Sequence, residues 1–165
     1  MRLLDLKSFS DEFYRTRVDA RLKPVLDSIR RLWSMGVWVE VTTLLIPGLN
    51  DGEDELRALV RFLASISPDI PWHVSRFYPS YRLLDVAPTP VASIEKAVRI
   101  GRDEGLRYVY GGNVPGHPTE STVCPGCGEV VIERRGFRLH KNSVVDGRCP
   151  RCGWKIAVHQ KEVSE

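Results

Sequence analysis

Along residues 1–110 the apolar positions alternate between short β-branched or aromatic runs and stretches in which they recur every three or four residues. Arg2–Leu6 is a short strand candidate that gives way to the polar Ser8-Phe9-Ser10-Asp11. Between Ala20 and Met35, the residues Leu22, Val25, Leu26, Ile29, Leu32 and Trp33 fall on one helical face, and Gly36 ends the helix. Val37–Ile46 is a nearly continuous apolar run, the pattern of a strand buried on both faces of a parallel sheet, closed by Pro47-Gly48. Asn50-Asp51-Gly52 offers capping side chains for a helix that begins at Glu53 and turns Leu56, Leu59, Val60, Leu63 and Ile66 inward. A third strand is expected over Trp72–Phe77. Thr89 as N-cap and Pro90 at the first helical position open another helix, with Val91, Ile94, Ala97 and Val98 buried and Gly105 near its end. Tyr108–Tyr110 is the last strand of this part. Strands separated by such helices require right-handed crossovers within a parallel sheet. Four strands and three helices are too few for a closed barrel of eight units, so the segment is an open α/β sheet or an arc of a barrel.

The periodicity changes after Gly111–Gly116, where Pro, Gly, His, Thr and Ser form a linker up to Thr122. Residues 129–138 and 155–159 then alternate apolar and polar side chains as hairpin strands do. This divides the chain into an α/β part, 1–116, and a small C-terminal module, 117–165. All four cysteines lie in the second part, as Cys124-Pro-Gly-Cys127-Gly and Cys149-Pro-Arg-Cys152-Gly with 21 residues between the pairs. Each CxxC turn can present two thiolates to one tetrahedral Zn²⁺, and the glycine after each second cysteine permits the positive φ of such a knuckle. Two disulfides or two redox-active pairs are the alternatives; a cytosolic setting disfavours disulfides, and duplicated CPxCG knuckles at this spacing match a zinc site. Four thiolates leave no open coordination position, so the expected role is structural. About 45 residues bury little core, and the module is expected to fold only with its metal.

Composition narrows the classes without choosing one. The 165 residues are 42% hydrophobic and 27% charged, which suits an ordinary globular chain. No apolar run approaches the roughly 20 residues of a membrane span, and the first residues turn charged too soon for a signal peptide, so a cytoplasmic location is expected. The net charge of +3 arises entirely after Glu120, where eight Lys or Arg face five Asp or Glu. That surplus, without interleaved aromatics, argues against strong nucleic-acid binding. No GxSxG, P-loop or GxGxxG after a strand is present.

Four strings carry a resemblance: Asp5-Leu-Lys7-Ser-Phe9, Val41-Thr-Thr-Leu-Leu-Ile-Pro47-Gly48-Leu-Asn50-Asp51, Trp72-His-Val-Ser-Arg-Phe77, and Leu106 to Gly116, followed by CPxCG. In order and over nearly the whole chain they resemble the C-terminal part of the radical SAM enzymes of the AmmeMemoRadiSam system, relatives of pyruvate formate-lyase activating enzymes. The resemblance implies half of a radical SAM barrel followed by a zinc ribbon. Family members carry CxxxCxxC, whose thiolates hold a 4Fe–4S cluster that cleaves S-adenosylmethionine, and no CxxxCxxC occurs in this sequence. Asp5 and Lys7 match the family's DxK at the end of a barrel strand beside the methionine end of the cofactor. Tyr78 stands where relatives often place a histidine near the nucleoside, and Asn113 lies in the loop at the mouth of the sheet. Read as residues alone, Asp5 suits a turn cap, Lys7 a surface position, and Tyr78 packing at a strand end. Likewise Trp33, Trp38 and Trp72 read as core, His73 as structural, and His117, His140 and His159 as unneeded once Cys124, Cys127, Cys149 and Cys152 satisfy a metal.

The resemblance therefore implies a C-terminal portion of a radical SAM protein, inactive alone, whose partner is an N-terminal half that supplies the cluster or a protein substrate. A half-barrel by itself would expose an edge strand and one apolar sheet face, which predicts homo-oligomers. The competing reading is a non-enzymatic zinc-ribbon module that binds protein or nucleic acid.

Overall fold

Right-handed crossovers force every connecting helix onto the same side of a parallel sheet whose strands follow chain order, and that constraint shapes this chain. A computed structural model describes residues 1–136 and 138–157. Strands β1 (Arg2–Asp5), β2 (Val39–Leu45), β3 (Trp72–Arg76) and β4 (Val109–Gly112) pair in parallel in the order β1-β2-β3-β4. The connections run through α1 (Asp11–Phe13) and α2 (Leu22–Ser34), then α3 (Glu53–Ile66), then α4 (Val91–Asp103). Strict register lines up Leu4, Val41, Trp72 and Val109 in one row across the sheet. These residues join Ile29, Leu59, Leu63, Ile94 and Ala97 of the helices in a single core.

The next row, Asp5–Thr42–His73–Tyr110, points the other way and meets no helix layer among the described residues. Along β2 the residues are accordingly buried and open by turns, not buried on both faces as the apolar run suggested. The open face is largely polar, with Leu3 and Leu44 its exposed apolar residues. The sheet is therefore an arc with an inner, hydrophilic surface. β1 forms one edge, while the 3₁₀ turn Pro118–Glu120 packs beside β4 so closely that a Cβ on Gly111 would lie 2.4 Å from Thr119 Oγ1.

Several expected caps do other work. Gly52 and Pro90, without side-chain bonds, precede α3 and α4. Buried Thr89 instead donates to the Leu45 carbonyl and accepts from Phe77 N–H at 3.1 Å, so it ties β2 to the end of β3. Buried Asn50 accepts from Ile46 N–H at 2.7 Å and donates to the carbonyls of Lys7 (2.6 Å) and Leu44 (2.9 Å). It thereby fixes the chain leaving β1 against the turn that ends β2. The segment after β1, which gave no helical signal, forms α1 under the side-chain cap of Ser10 and continues as a wide turn over Tyr14–Val18. Buried Tyr14 accepts the Lys7 N–H at 3.0 Å.

The C-terminal part is a three-stranded antiparallel sheet, β5 (Thr122–Val123), β6 (Val130–Arg135) and β7 (Arg138–Asn142). With a four-cysteine cluster it could form a zinc ribbon. Its small core of Val131, Ile132, Ile156 and two cysteines closes around Tyr108, which precedes β4. The hairpin expected over 155–159 is represented by one bridge, Arg148 to Lys155, and Val158 and His159 lie outside the described residues.

Replacing Asn50 by Ala strands one donor and two acceptors at the ends of β1 and β2. A loss on the order of 2–3 kcal/mol is expected in urea unfolding followed by circular dichroism.

Candidate functional site

Two constellations stand at opposite ends of β4. At its amino end lie the cysteines. Their four Sγ atoms fall within 4.8 Å of one another, with Cys124–Cys152 at 3.5 Å and Cys127–Cys149 at 3.7 Å, and all four thiols are free. A tetrahedron of sulfurs about 2.3 Å from one ion has edges of about 3.8 Å, so the donor set fits a single metal ion. The fit has a local cause. Gly128 and Gly153, at φ 75° and 74°, turn their N–H groups back to the carbonyls of Cys124 and Cys149, both at 2.9 Å. Burial raises the Cys149 thiol, but the N–H groups of Cys152 and Arg151 and the neighbouring sulfurs bring it down to about 7, while the same crowding of sulfurs pushes Cys152 up to about 12 and Cys127 up, as expected where four thiols without a cation share one site. The knuckle is docked on the α/β part by the Arg107 guanidinium over the Trp154 ring (5.4 Å) and by Ala157 N–H donating to Tyr108 Oη at 2.9 Å.

At the carboxyl ends of the strands lie the residues singled out from the sequence. Lys7 Nζ bonds the Asp5 carboxylate just past β1, and both side chains are roughly half exposed. Past β3 and β4, Asn113 Nδ2 donates to the Arg76 carbonyl at 3.0 Å, and Arg76 Nη1 donates to Tyr78 Oη at 3.0 Å with its guanidinium 4.9 Å from the ring. Asn113 adopts φ 58°, the left-handed conformation that asparagine tolerates. Asp5 with Lys7, and Tyr78 with Asn113, thus form two groups on one rim of the sheet, and no bond joins them.

Between the ends, on the open face, is a pair that the strand pattern hid. His73 Nε2 lies 2.8 Å from Glu40 Oε2, and the Trp38 indole donates to Glu40 Oε1 at 3.0 Å. The His73 ring stacks on Tyr110 at 5.1 Å. Tyr110 Oη bonds Thr122 Oγ1 at 3.0 Å, and Arg134 of β6 donates to the same hydroxyl at 2.7 Å. The His73 bond holds the Glu40 carboxyl below its ordinary value against the opposing effect of burial. Glu40, an acid at every-second-residue spacing inside an apolar run, was the available signal. Trp38, expected in the core, instead borders this face, whereas Trp72 is fully buried. His117 is held by Glu95 at 3.0 Å and Thr119 at 2.9 Å in the linker, His140 is exposed on β7, and His159 lies outside the described residues.

No family model matches the chain. It is similar to an uncharacterized protein of Methanocaldococcus jannaschii, 42% identical over an alignment of 158 residues that covers 94% of this chain and 47% of that protein. Over 74 residues it is 31% identical to the isethionate sulfite-lyase activating enzyme of Oleidesulfovibrio alaskensis, covering 42% of this chain and 24% of that enzyme. The chain thus spans about half the length of the first curated relative and a quarter of the second. Among solved structures, a domain of a pyruvate-formate lyase-activating enzyme from Bacteroides vulgatus superposes with a TM-score of 0.57 at 25% identity, over 67% of this chain and 66% of that one. A radical SAM methyltransferase from Sphaerobacter thermophilus gives 0.51 at 18% identity, over 66% and 32%. The α/β arc has the fold of the radical SAM superfamily.

Two measurements check this geometry. Because the Glu40 carboxyl is held below 4.5 in the folded state, its contribution to stability is present above pH 4.5 and is lost as the pH falls through the folded value. Urea midpoints of the wild type and Glu40→Gln should differ at pH 6 and draw together as the pH falls below 4.5; parallel curves would remove the carboxylate as the cause. Chelation should collapse the amide dispersion of residues 122–157 while leaving that of the parallel sheet, and a C-terminal part that keeps its dispersion without metal would contradict the single-ion assignment.

Proposed function

We propose that this chain forms the C-terminal half of a radical SAM barrel, contributing side chains to the S-adenosylmethionine site, and carries a structural zinc ribbon. The observation behind this reading is the one-sided arc: parallel strands in chain order, helices on one face, a hydrophilic inner face, and β1 as the edge open to further β/α units. Such an arc is completed when more parallel strands add beside β1 with their helices on the same side.

The cysteines of this sequence do not fit the three-thiolate cluster of such enzymes. All four belong to one tetrahedral group at the amino end of β4, whereas ligands of parallel β/α sheets gather at the carboxyl ends. The CxxxCxxC is therefore assigned to the units beside β1, whether on the same polypeptide or another. With the cluster in place, S-adenosylmethionine supplies a radical by reductive cleavage. This chain's part is to bind and orient. Lys7 offers a cation and Asp5 a carboxylate where the zwitterionic methionine end would lie. Tyr78, held by Arg76, offers a flat face, and Asn113 a polar rim, toward the nucleoside. Zinc is the assigned metal of the ribbon because four thiolates in a closed tetrahedron match it and leave no position for catalysis.

Metal analysis and an anaerobic cleavage assay test the reading. The isolated chain should hold one zinc and no iron and leave S-adenosylmethionine intact. Combined with the cluster-bearing half it should release deoxyadenosine, and Asp5→Asn or Lys7→Ala should cut that release at least tenfold with zinc content unchanged. An isolated chain that is brown and releases deoxyadenosine would overturn the division of labour, as would full activity in both variants.

A further inference from the structure

Lys7 stands on the open edge of the sheet, and the chain holds it there without a neighbouring strand. The N–H groups of Arg2 and Leu6 bond the carbonyls of Trp38 and Thr42 on the β2 side, at 2.8 and 2.9 Å. Parallel pairing sends alternate N–H groups to opposite sides, so those of Leu3, Asp5 and Lys7 face away from β2. At Lys7 the acceptor is the Tyr14 hydroxyl, at 3.0 Å, which takes the place of a strand carbonyl just where β1 runs out. The same residue is gripped from its other end, since the Lys7 carbonyl accepts from Asn50 Nδ2. Leu6 is fully buried, and Thr43 Oγ1 donates to its carbonyl at 2.8 Å. The extended path therefore continues past the last pair of β1, Asp5 with Thr42, and keeps the Asp5 and Lys7 side chains on one face, where they bond.

Tyr14 opens the wide turn Tyr14–Val18, which closes on Asp19 in the left-handed conformation at φ 54°. Wide turns of this kind are rare and recur at functional sites. The Tyr14 ring is buried, and a phenylalanine would fill the same space; only the hydroxyl reaches Lys7. Burial pushes that hydroxyl above the ordinary tyrosine range, against the pull of the Lys7 N–H, and the Asp5 carboxylate adds to the rise, so it stays neutral. A lysine side chain is long and rotates freely, so its direction is set first by the backbone it leaves. We propose that Tyr14 is a positioning residue for the S-adenosylmethionine site: its hydroxyl holds the Lys7 backbone so that the Lys7 cation and the Asp5 carboxylate together face the methionine end of that molecule. This rests on the rim assignment made above and adds to it a residue that acts through Lys7. It also sets a limit on the seam. A strand added beside β1 can bond the outward N–H groups of Leu3 and Asp5 and must stop short of Lys7, whose N–H is taken.

Tyr14→Phe removes the oxygen and keeps the ring. In the isolated, metal-loaded chain, amide exchange followed by NMR should show the Lys7 N–H losing protection roughly tenfold while the amides of Val41 and Trp72 are unchanged. In the chain combined with the cluster-bearing half, Tyr14→Phe should raise KM for S-adenosylmethionine about fivefold and leave kcat within about twofold, the loss expected for one hydrogen bond that orients a binding group. Placed in the Lys7→Ala background, the same change should have no further effect on KM, because the tyrosine acts through that lysine. Should Tyr14→Phe not keep the amide dispersion of the parallel sheet, an ester in place of the Leu6–Lys7 amide, which deletes the same hydrogen bond from the other side, is read instead for KM. Unchanged Lys7 exchange in Tyr14→Phe, an unchanged KM in the variant read, or an equal rise with and without Lys7 would overturn the positioning role and leave the rim assignment standing. Full activity of Lys7→Ala would overturn both.

Discussion

The handedness of the β/α crossover is the constraint on which the rest of this chain depends. Strands laid down in chain order, each reached by a right-handed crossover, receive all their helices on one side. Burial of the row Leu4, Val41, Trp72 and Val109 beneath those helices supplies the main hydrophobic stabilisation of the α/β part. The same constraint leaves the alternate row without a layer. Side chains there must be compatible with water, and the chain places Asp5, Thr42, His73 and Tyr110 in that row with Glu40 beside it. Scaffold and site are two faces of one register.

The ribbon solves a different problem by a different device. Its apolar residues are few, its four cysteines are placed so that they could hold one metal ion in place of a larger core, and Tyr108 is borrowed from the α/β part to fill what remains. This sharing has a consequence for the open face. β6 follows Cys127 and carries Arg134 across to Thr122 and Tyr110, so the strand that leaves the cysteine cluster positions a guanidinium in the cleft of the neighbouring sheet. The two parts are joined by hydrogen bonds and ring contacts at Arg107, Tyr108 and Tyr110, which couple the order of one to the order of the other.

Polar residues in the connections follow the same economy. Asn50 and Thr89 sit in sequence where helix caps are expected, and each is used instead to satisfy backbone groups at strand ends, where a buried orphan costs more than a frayed helix start. The effect is to fix the carboxyl rim, because Asn50 holds the carbonyl of Lys7 and Thr89 holds Phe77, the residue before Tyr78.

The sequence by itself determined the β/α alternation, the parallel sheet, the inward helix faces and the four-cysteine group, since each is written in local spacing: 3.6-residue periodicity, β-branched runs, and paired CxxC turns with their glycines. It did not determine which strand faces were open. A run such as Val39–Leu45 looks the same whether one or both of its faces are covered, and only the absence of a second helix layer decided that Glu40 and Thr42 point into a cleft. Nor could it join Glu40 to His73, 33 residues away, or bring Arg134 from the ribbon onto Tyr110, because those meetings depend on strand register and on how two separately stabilised parts dock. Local chemistry is legible along the chain, whereas proximity between distant residues exists only once the register is set.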